Sequence, residues 1–404
     1  MLALAIRNVF RQKVRAGITV AAIAFGVAGL ILSGGFVADM VAQLAEAIVH
    51  SQTGHVQVAR SGYFDGRLRG LESALISDRP QAEAALRGEA QLREIAGRLS
   101  FPALLNNGRT DAPVLAEGIE PTKERALDRN LQLLGGRRLD DGDRFALMVG
   151  EGVARRLALG VGDRVDLVVA TSGGAVNVLD FELVGTFRTI SREFDARAVR
   201  LPLAAAQTLL DTSGVNLLVL SLAETAATDP VRQRVEAPMR AAGLEVRAWH
   251  ELNDFYSKTV ALFERQFGVL RAIILLMLLL SVANTLNISV FERMGEFGTM
   301  RAIGVRGSGV FAAVLLEAAL LGLIGGMVGA GLGVVLAASI SAIGIPMPPP
   351  PNANLGYTAR IAVTPAIVGS AFLVRFVAAV LGALLPAARV SRIRIVDALR
   401  QGAY

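Results

Sequence analysis

Four long apolar stretches constrain the fold of this 404-residue chain more than any other feature. They cover residues 17–38, 272–291, 308–345 and 361–388, and each holds at most one ionisable residue. A helix needs about 20 apolar residues to cross a hydrocarbon core of about 30 Å. All four stretches reach that length, so the sequence predicts four transmembrane helices. Hydrophobic residues make up 53% of the chain, more than in an ordinary soluble protein.

Basic residues beside these stretches predict the orientation of the chain. The first stretch is preceded by Arg7, Arg11, Lys13 and Arg15, with no acidic residue among them. The last stretch is followed by Arg389, Arg392, Arg394 and Arg400, with Asp397 as the single acidic residue. Because cytoplasmic flanks are rich in Lys and Arg, both termini are expected in the cytoplasm of a multi-pass protein. A cleaved signal peptide is the alternative for the first stretch, but the stretch exceeds a typical h-region and no convincing A-x-A site follows it.

The four spans divide the chain into nine predicted segments. They are a cytoplasmic segment (1–16), TM1 (17–40), a large domain (41–262), TM2 (263–291), a cytoplasmic connector (292–307), TM3 (308–343), a proline-rich extracytoplasmic loop (344–360), TM4 (361–388) and a cytoplasmic tail (389–404). The predicted fold class is a membrane protein with four transmembrane α-helices and a large α+β extracytoplasmic (periplasmic) domain inserted between TM1 and TM2.

The domain of residues 41–262 has a soluble composition in which short strands alternate with helices. Residues 55–58, 164–170 and 181–187 read as strands, and residues 81–99 read as a helix. In residues 145–163 a strand leads into a helix that ends at Gly160, and Gly162 and Asp163 turn the chain into the next strand. These patterns predict an α+β domain.

A search for catalytic or cofactor chemistry yields no candidate residue. The chain lacks the G-x-x-x-x-G-K-[ST] motif and the G-x-S-x-G motif, so any ATP and Mg²⁺ would be bound by a partner ATPase. Its three histidines, His50, His55 and His250, lack a neighbouring set of ligands with metal spacing. The arginines are scattered or lie at the ends of apolar runs, which does not favour a nucleic-acid surface. No catalytic, cofactor or metal site is expected in this chain.

Two ionisable residues lie inside apolar spans, where they are costly unless they are paired or face a cavity. Glu317 lies 11 residues after Arg306, and Arg375 lies 14 residues before Arg389. At 1.5 Å per residue, their depths differ by only about 5 Å. We therefore predict that Glu317 and Arg375 pair within or between protomers. The alternative places Glu317 near the headgroups and Arg375 snorkelling or facing the protein interior.

Glycines recur at four-residue spacing in the third span, where they would allow close packing of helices. The predicted packing residues are Gly322, Gly326, Gly329 and Gly333. A general tolerance of membrane helices for glycine is the alternative explanation.

Five motifs, taken in order, resemble the MacB/LolC/FtsX-like permeases, the type VII ABC transporters. They are residues 4–15 (LAIRNVFRQKVR), 149–163 (VGEG…LGVGD), 291–304 (FERMGEFGTMRAIG), 315–318 (LLEA) and 397–400 (DALR). The resemblance covers nearly the whole chain.

The resemblance implies a set of partners and a mechanical role. Residues 292–304 would form a coupling helix on a cytoplasmic ABC ATPase dimer, with Glu292, Arg293, Glu296 and Arg301 as its charged residues. The acids near its start and Arg301 near its end independently suit the helix dipole. A second permease protomer, identical or related, would complete the transporter, and TM1 and TM2 would extend as a stalk. A solvated loop is the alternative for the connector.

Several functions fit this resemblance. The separate permease of LolC/LolE type favours release of lipoproteins from the inner membrane, with a periplasmic lipoprotein carrier or an adaptor as a further partner and membrane lipid as the surroundings. Efflux of amphipathic small molecules or peptides from the periplasm is the first alternative. A membrane-anchored sensor or scaffold without transport is an alternative of another class.

Overall fold

The computed structural model describes residues 13–68, 70–171, 173–349 and 352–393. Several predicted features therefore lie outside the described residues: most of the N-terminal motif, Pro350 and Pro351 of the proline-rich loop, and the tail from Arg394 with its Asp397 to Arg400 motif. The chain divides into two compact units. The helical unit takes in the described parts of Met1–Val41, Val260–Pro346 and Thr358–Tyr404, and the sheet unit those of Ala42–Thr259 and Met347–Tyr357.

The described helices are, in chain order, α1 (Lys13–Ile48), α2 (Leu71–Ala74), α3 (Arg79–Leu86), α4 (Pro121–Glu124), α5 (Glu151–Leu157), α6 (Arg192–Asp195), α7 (Leu203–Leu210), α8 (Thr228–Ala241), α9 (Trp249–Leu252), α10 (Asp254–Glu292), α11 (Met294–Ala302), α12 (Gly307–Ile343) and α13 (Pro365–Arg392). A π-helical turn covers Val49–Thr53, and a 3₁₀ turn covers Thr225–Ala227.

The described strands are β1 (Val56–Arg60), β2 (Leu92–Asn106), β3 (Asp111–Ile119), β4 (Gln132–Gly136), β5 (Ala146–Gly150), β6 (Arg164–Ala170), β7 (Val176–Arg188), β8 (Ala198–Pro202), β9 (Leu217–Leu222), β10 (Leu244–Ala248), β11 (Ile345–Met347) and β12 (Tyr357–Ala359).

Helices α1, α10, α12 and α13 are long and apolar enough to cross a membrane, which confirms the predicted number of spans. Their lengths are 36, 39, 37 and 28 residues. At 1.5 Å per residue, α1 and α10 are about 54 and 58 Å long, well beyond a hydrocarbon core of about 30 Å. Helix α13 begins at Pro365, four residues after the apolar stretch starts, because the Thr364 hydroxyl caps it by accepting the N–H of Ile367.

The helical unit buries one face of each long helix and leaves large apolar side chains on its outside. Ile23 and Val27 of α1, Val282 of α10 and Ala379 of α13 share its core. On the outer surface, Leu385 is 71% exposed. An apolar exterior is what a lipid environment requires of a helical bundle.

The sheet unit is built on one mixed sheet whose order is β10-β1-β9-β2-β3-β8-β5-β7-β4, with β6 paired to both β2 and β7. The pairs β3–β8 and β5–β7 are parallel, and the other pairs are antiparallel. The pairings from β2 through β3, β8, β5, β7 and β6 return to β2, so six strands form a closed ring.

The helix predicted over residues 81–99 is wrong in its second half. Helix α3 ends at Leu86, and Leu92–Asn106 is strand β2 rather than the second half of a helix over residues 81–99. The β2 strand pairs with β9 along its first part and with β3 along its second. Apolar residues in so short a window fit either period, and pairing with distant strands decides between them.

The predicted strand, helix and strand of residues 145–163 are present as β5, α5 and β6. The helix ends at Leu157, three residues earlier than predicted, because Ala158 takes a left-handed conformation at φ 50°. Gly162 then turns the chain at φ 96°, a conformation that glycine adopts without steric cost.

Candidate functional site

The candidate coupling segment lies between α10 and α12. Helix α10 ends at Glu292, Arg293 takes φ −104° and ψ 17°, and α11 then begins at Met294. Gly304 at φ 99° leads the chain out of α11 and toward the start of α12 at Gly307. This connector therefore contains a defined two-turn helix.

One face of α11 is fixed by apolar contacts. Met294 and Phe297 are 4% and 5% exposed, and they share a cluster with Val310 and Val314 of α12 and Val390 of α13. The three-residue spacing puts both side chains on the same helix face. The exposed residues of the connector form its outer face, which includes Glu292, Glu296, Thr299 and Ile303.

A buried ion pair joins the connector to α12. The Nη1 atom of Arg293 lies 2.9 Å from Oε2 of Glu317, and the two side chains are 8% and 12% exposed. The Nε atom of Arg293 also donates to Oε2 of Glu296 at 2.9 Å, and its guanidinium lies 5.2 Å from the centre of the Phe297 ring. The buried Arg293 side chain therefore fixes the connector to α12.

The predicted pairing of Glu317 with Arg375 within one chain is wrong. Glu317 pairs with Arg293, whereas Nη1 of Arg375 donates to the backbone carbonyl of Ile274 in α10 at 3.2 Å. Arg375 is fully buried, and a Cβ atom on Gly26 of α1 would lie 2.8 Å from its Nη1 atom. Counting residues gave the two depths but not the direction in which each side chain leaves its helix. Pairing between protomers stays a prediction.

Arg301 has a structural role at the end of α13. Its Nη1 atom donates to the carbonyl of Ser391 at 3.4 Å and also to the carbonyl of Ile393. The last carbonyls of a helix lack partners within that helix, so a basic side chain stabilises them. The four predicted coupling residues thus divide into two groups. Arg293 and Arg301 hold the connector, and Glu292 and Glu296 lie on its outer face.

The glycines of α12 face two different helices. Gly325, Gly329 and Gly333 lie against α1, where a Cβ atom on Gly329 would be 2.6 Å from the carbonyl oxygen of Ala24. Gly322 and Gly326 lie against α13, where a Cβ atom on Gly326 would be 2.6 Å from the Phe372 ring. The predicted residues are therefore placed where helices approach closely.

The histidines take part in local contacts. The rings of His50 and His55 meet edge to face, with centroids 5.3 Å apart, and His250 Nε2 lies 3.0 Å from Asp229. Within the described ranges, no group of three or more His, Asp or Glu side chains is arranged to hold a metal ion.

Comparison with known families accounts for both units of the chain. A family model described as the MacB-like periplasmic core domain matches residues 16–237, more than half of the sequence. The chain belongs to the MacB/FtsX-like permease family. A second model, the FtsX-like permease C-terminal domain, matches residues 268–395. These matches and the four long helices confirm the predicted fold class, with a large domain between the first span and the later ones.

Curated relatives of this MacB/FtsX-like permease are identical to it at about a quarter of the aligned positions. An uncharacterized ABC transporter permease of Methanocaldococcus jannaschii is 26% identical over 232 residues, which are 55% of this chain and 56% of that protein. The lipoprotein-releasing system transmembrane protein LolE of Haemophilus influenzae is 22% identical over 279 residues, 64% of either chain. The macrolide export ATP-binding/permease protein MacB of Rhodopseudomonas palustris is 28% identical over 157 residues, 38% of this chain and 24% of that protein. The chain spans less than two thirds of the length of each relative.

Among solved structures, the periplasmic region of MacB from Actinobacillus actinomycetemcomitans is similar to the permease. The alignment covers 51% of the permease and 93% of that region, at 12% identity and a TM-score of 0.37. The extracellular domain of the ABC-type transporter YknZ from Gram-positive bacteria is also similar. That alignment covers 48% of the permease and 100% of the domain, at 12% identity and a TM-score of 0.35.

The sheet unit of the permease contains a buried charge network that sequence reasoning missed. Arg98 and Arg200 are each 1% exposed, and they pair with Glu124 at 2.5 Å and Asp128 at 2.8 Å. Burial raises the pKa of Asp128, although the charge of Arg200 opposes that shift. The sequence did contain one signal of a buried charge at Arg200, because this residue lies in the middle of the apolar run 198–203.

The same two arginines cap the end of the first helix. Arg98 donates to the carbonyl of Gln52 at 2.5 Å, and Arg200 donates to the carbonyl of Ser51 at 3.0 Å. Both carbonyls belong to the π-helical turn that follows α1. Since terminal carbonyls of a helix need donors, the charge network stabilises the end of α1 and the turn that follows it within the sheet unit.

Proposed function

We propose that this chain is the permease subunit of an ABC transporter, which receives motion from a separate ATPase at its connector and passes that motion to the sheet unit. The connector carries the proposal. Its packed face is held to α12 and α13 by Arg293, Phe297 and Arg301. Its exposed face carries Glu292 and Ile303, and Ile303 is 77% exposed. A short, fixed helix with exposed acidic and apolar residues is suited to a groove on a partner.

ATP and Mg²⁺ would be bound by the partner and not by this chain. The sequence has no G-x-x-x-x-G-K-[ST] motif, and the family model that matches residues 268–395 is described as a permease domain. An ATPase dimer presents two equivalent surfaces, so a second permease protomer, identical or related, would complete the assembly. The basic flanks of the first and last spans favour an inner-membrane orientation with both termini in the cytoplasm.

Release of lipoproteins from the inner membrane is the cargo function that we favour. The relative named as a lipoprotein-releasing transmembrane protein aligns over 64% of both chains. A periplasmic lipoprotein carrier would then receive the cargo. The relative named as a macrolide export protein supports efflux of amphipathic molecules, with an adaptor in place of the carrier, as the second candidate.

Affinity purification of the full-length protein in detergent tests the proposal. A P-loop ATPase should co-purify with the wild type and should be lost with the double variant Glu292→Arg, Ile303→Glu. The matched control is Asp166→Arg, Val161→Glu, which makes the same two kinds of change on exposed residues of the sheet unit. This control should retain the ATPase.

Two results would contradict the proposal. Absence of an ATPase from the wild-type preparation would favour a sensor or scaffold. Retention of the ATPase by the connector variant, at an unfolding temperature equal to that of the wild type, would exclude the outer face of the connector as its docking site.

A further inference from the structure

Three segments through which the sheet unit continues into the long helices meet in one buried cluster. They are the end of α1, the start of α10 and the loop of residues 352–355 between α12 and α13. The cluster contains Ile48 from the first segment and Ala353 from the third, together with Ile190 and Trp249, and the partly buried Tyr256 from the second segment packs against it. The rings of Trp249 and Tyr256 lie 4.4 Å apart. All of these residues belong to the sheet unit.

A chain of polar side chains runs beside this cluster and connects the same three segments. Asn253 donates from Nδ2 to Oε1 of Gln52 at 3.5 Å, and Gln52 donates from Nε2 to Oγ1 of Thr189 at 3.0 Å. Thr189 in turn donates from Oγ1 to Oδ1 of Asp195 at 2.7 Å. Finally, Asn354 donates from Nδ2 to Oδ2 of Asp195 at 2.6 Å. We call these five residues the junction.

The centre of the junction is fully enclosed. Thr189 is 0% exposed and Asp195 is 1% exposed. The Asp195 carboxylate also accepts the backbone N–H of Thr189 at 2.9 Å, so both of its oxygens have donors. Burial raises the pKa of Asp195, while the hydrogen bonds from Thr189 and Asn354 oppose that shift. A buried polar group without a partner is costly, so these groups must move together if they move at all.

Backbone pairing attaches the loop to the same place. Asn354 donates its N–H to the carbonyl of Ile190 at 2.9 Å, and Arg192 donates its N–H to the carbonyl of Asn352 at 3.1 Å. Ser191 and Ala353 form an antiparallel bridge between them. The loop between α12 and α13 is therefore joined to the residues that separate β7 from α6.

We propose that the junction is where displacement of the long helices enters the sheet unit, and that Thr189 and Asn354 are positioning residues for this transmission. The inference rests on the proposed function. Apolar contacts are non-directional and allow sliding, whereas hydrogen bonds weaken steeply when they are misaligned. A continuous set of hydrogen bonds whose centre is buried therefore transfers a displacement of one segment to the other two.

Substitutions at two positions separate transmission from folding. Thr189→Val removes the hydroxyl that accepts from Gln52 and donates to Asp195 but keeps the shape of the side chain, whereas Thr189→Ser keeps the hydroxyl. Asn354→Ala removes the last link of the junction. Its matched control is Asn352→Gly, because Asn352 contributes its backbone carbonyl to this pairing and glycine suits its φ of 67°.

Electron paramagnetic resonance on the full-length complex provides the test. The chain has no cysteine, so spin labels can be placed at Gln91→Cys in the sheet unit and Ser308→Cys in the helical unit. Both positions are exposed. The complex with its co-purified ATPase, in lipid nanodiscs and diluted with unlabelled permease, is measured without nucleotide and after trapping with ATP and vanadate.

The wild type, Thr189→Ser and Asn352→Gly should show a shift of the distance between the labels on trapping. Thr189→Val and Asn354→Ala should lose most of that shift, while ATP hydrolysis stays within about twofold of wild type and the unfolding temperature is unchanged. If Thr189→Val unfolds, Asn354→Ala decides the result.

The outcomes distinguish this inference from the function on which it rests. A full shift in folded Asn354→Ala and Thr189→Val would overturn the inference and leave the proposed function standing. Absence of a shift in the wild type, or absence of any ATPase, would overturn both.

Discussion

The protonation state of His55 is fixed by its surroundings. Its Nδ1 atom accepts the N–H of Leu222 at 3.1 Å, and the side chain is 1% exposed. An accepting Nδ1 cannot carry a proton. Burial, together with the nearby His50 and Arg93, lowers the pKa of His55 to about 4. The folded protein therefore holds this imidazole neutral.

Acidification should destabilise the protein through His55. Between about pH 6.5 and pH 4 the unfolded chain binds a proton at this residue and the folded chain does not, so stability falls as the pH is lowered, by up to about 3 kcal/mol. Thermal unfolding at pH 7.5 and pH 5, followed by the fluorescence of the single tryptophan, measures the loss. His55→Asn keeps an acceptor for Leu222 and should lose less stability over this range. An equal loss in both proteins would exclude His55 as the cause.

The ion pair between Arg293 and Glu317 should matter more than the exposed charge beside it. Glu317→Gln leaves Arg293 buried with one carboxylate instead of two, and loss of a buried partner costs about 3 kcal/mol. Glu296, whose side chain is 41% exposed, is the matched control, and Glu296→Gln should cost less than about 1 kcal/mol. Unfolding temperatures in detergent compare the two variants. Equal effects would contradict the buried role of Glu317.

At the level of secondary-structure elements, the packing of α12 on α1 depends on Gly329. A methyl group there would lie 2.6 Å from the carbonyl oxygen of Ala24 and 2.7 Å from its Cα atom, so the two helices would have to separate. Gly329→Ala should therefore lower stability by about 1–3 kcal/mol. Gly331, two residues away, has no atom within 4 Å of an added Cβ, and Gly331→Ala should leave the unfolding temperature unchanged. Similar losses in both variants would contradict the close approach at Gly329.

Some elements could be predicted from sequence because their signal is local. The four spans were identified because an apolar stretch of sufficient length is predictive by itself, whatever surrounds it. Strand β2 was partly missed because its two pairing partners, β3 and β9, come from separate parts of the chain. The partner of Glu317 was missed for a related reason: the rotation of a helix about its axis depends on packing that the residue count does not contain.

The junction was also beyond sequence reasoning. Gln52, Thr189 and Asn354 are ordinary polar residues in turns or at the ends of elements, and only the fold brings them together. Arg98 and Arg200 gave a weak signal as charges within apolar runs. Their shared role in capping the end of α1 depends on contacts among three segments that are distant in sequence.

The proposed topology of the whole molecule rests on the basic flanks and can be tested with single cysteines. In the cysteine-free chain, Gln91→Cys should react with a membrane-impermeant maleimide in cells whose outer membrane has been made permeable. Thr299→Cys on the connector should react only after the inner membrane is disrupted. The reverse pattern would place the sheet unit in the cytoplasm and contradict the proposed orientation.

Transmission of motion through the whole chain is tested most directly by hydrogen exchange on the complex with its ATPase, with and without ATP and vanadate. The nucleotide would bind only the partner. If the permease transmits the resulting motion, exchange should change in the connector (residues 292–307) and also in residues 189–195 and 352–354 of the sheet unit. A change confined to the connector would show that the ATPase docks there without driving the sheet unit, and would contradict the proposed function.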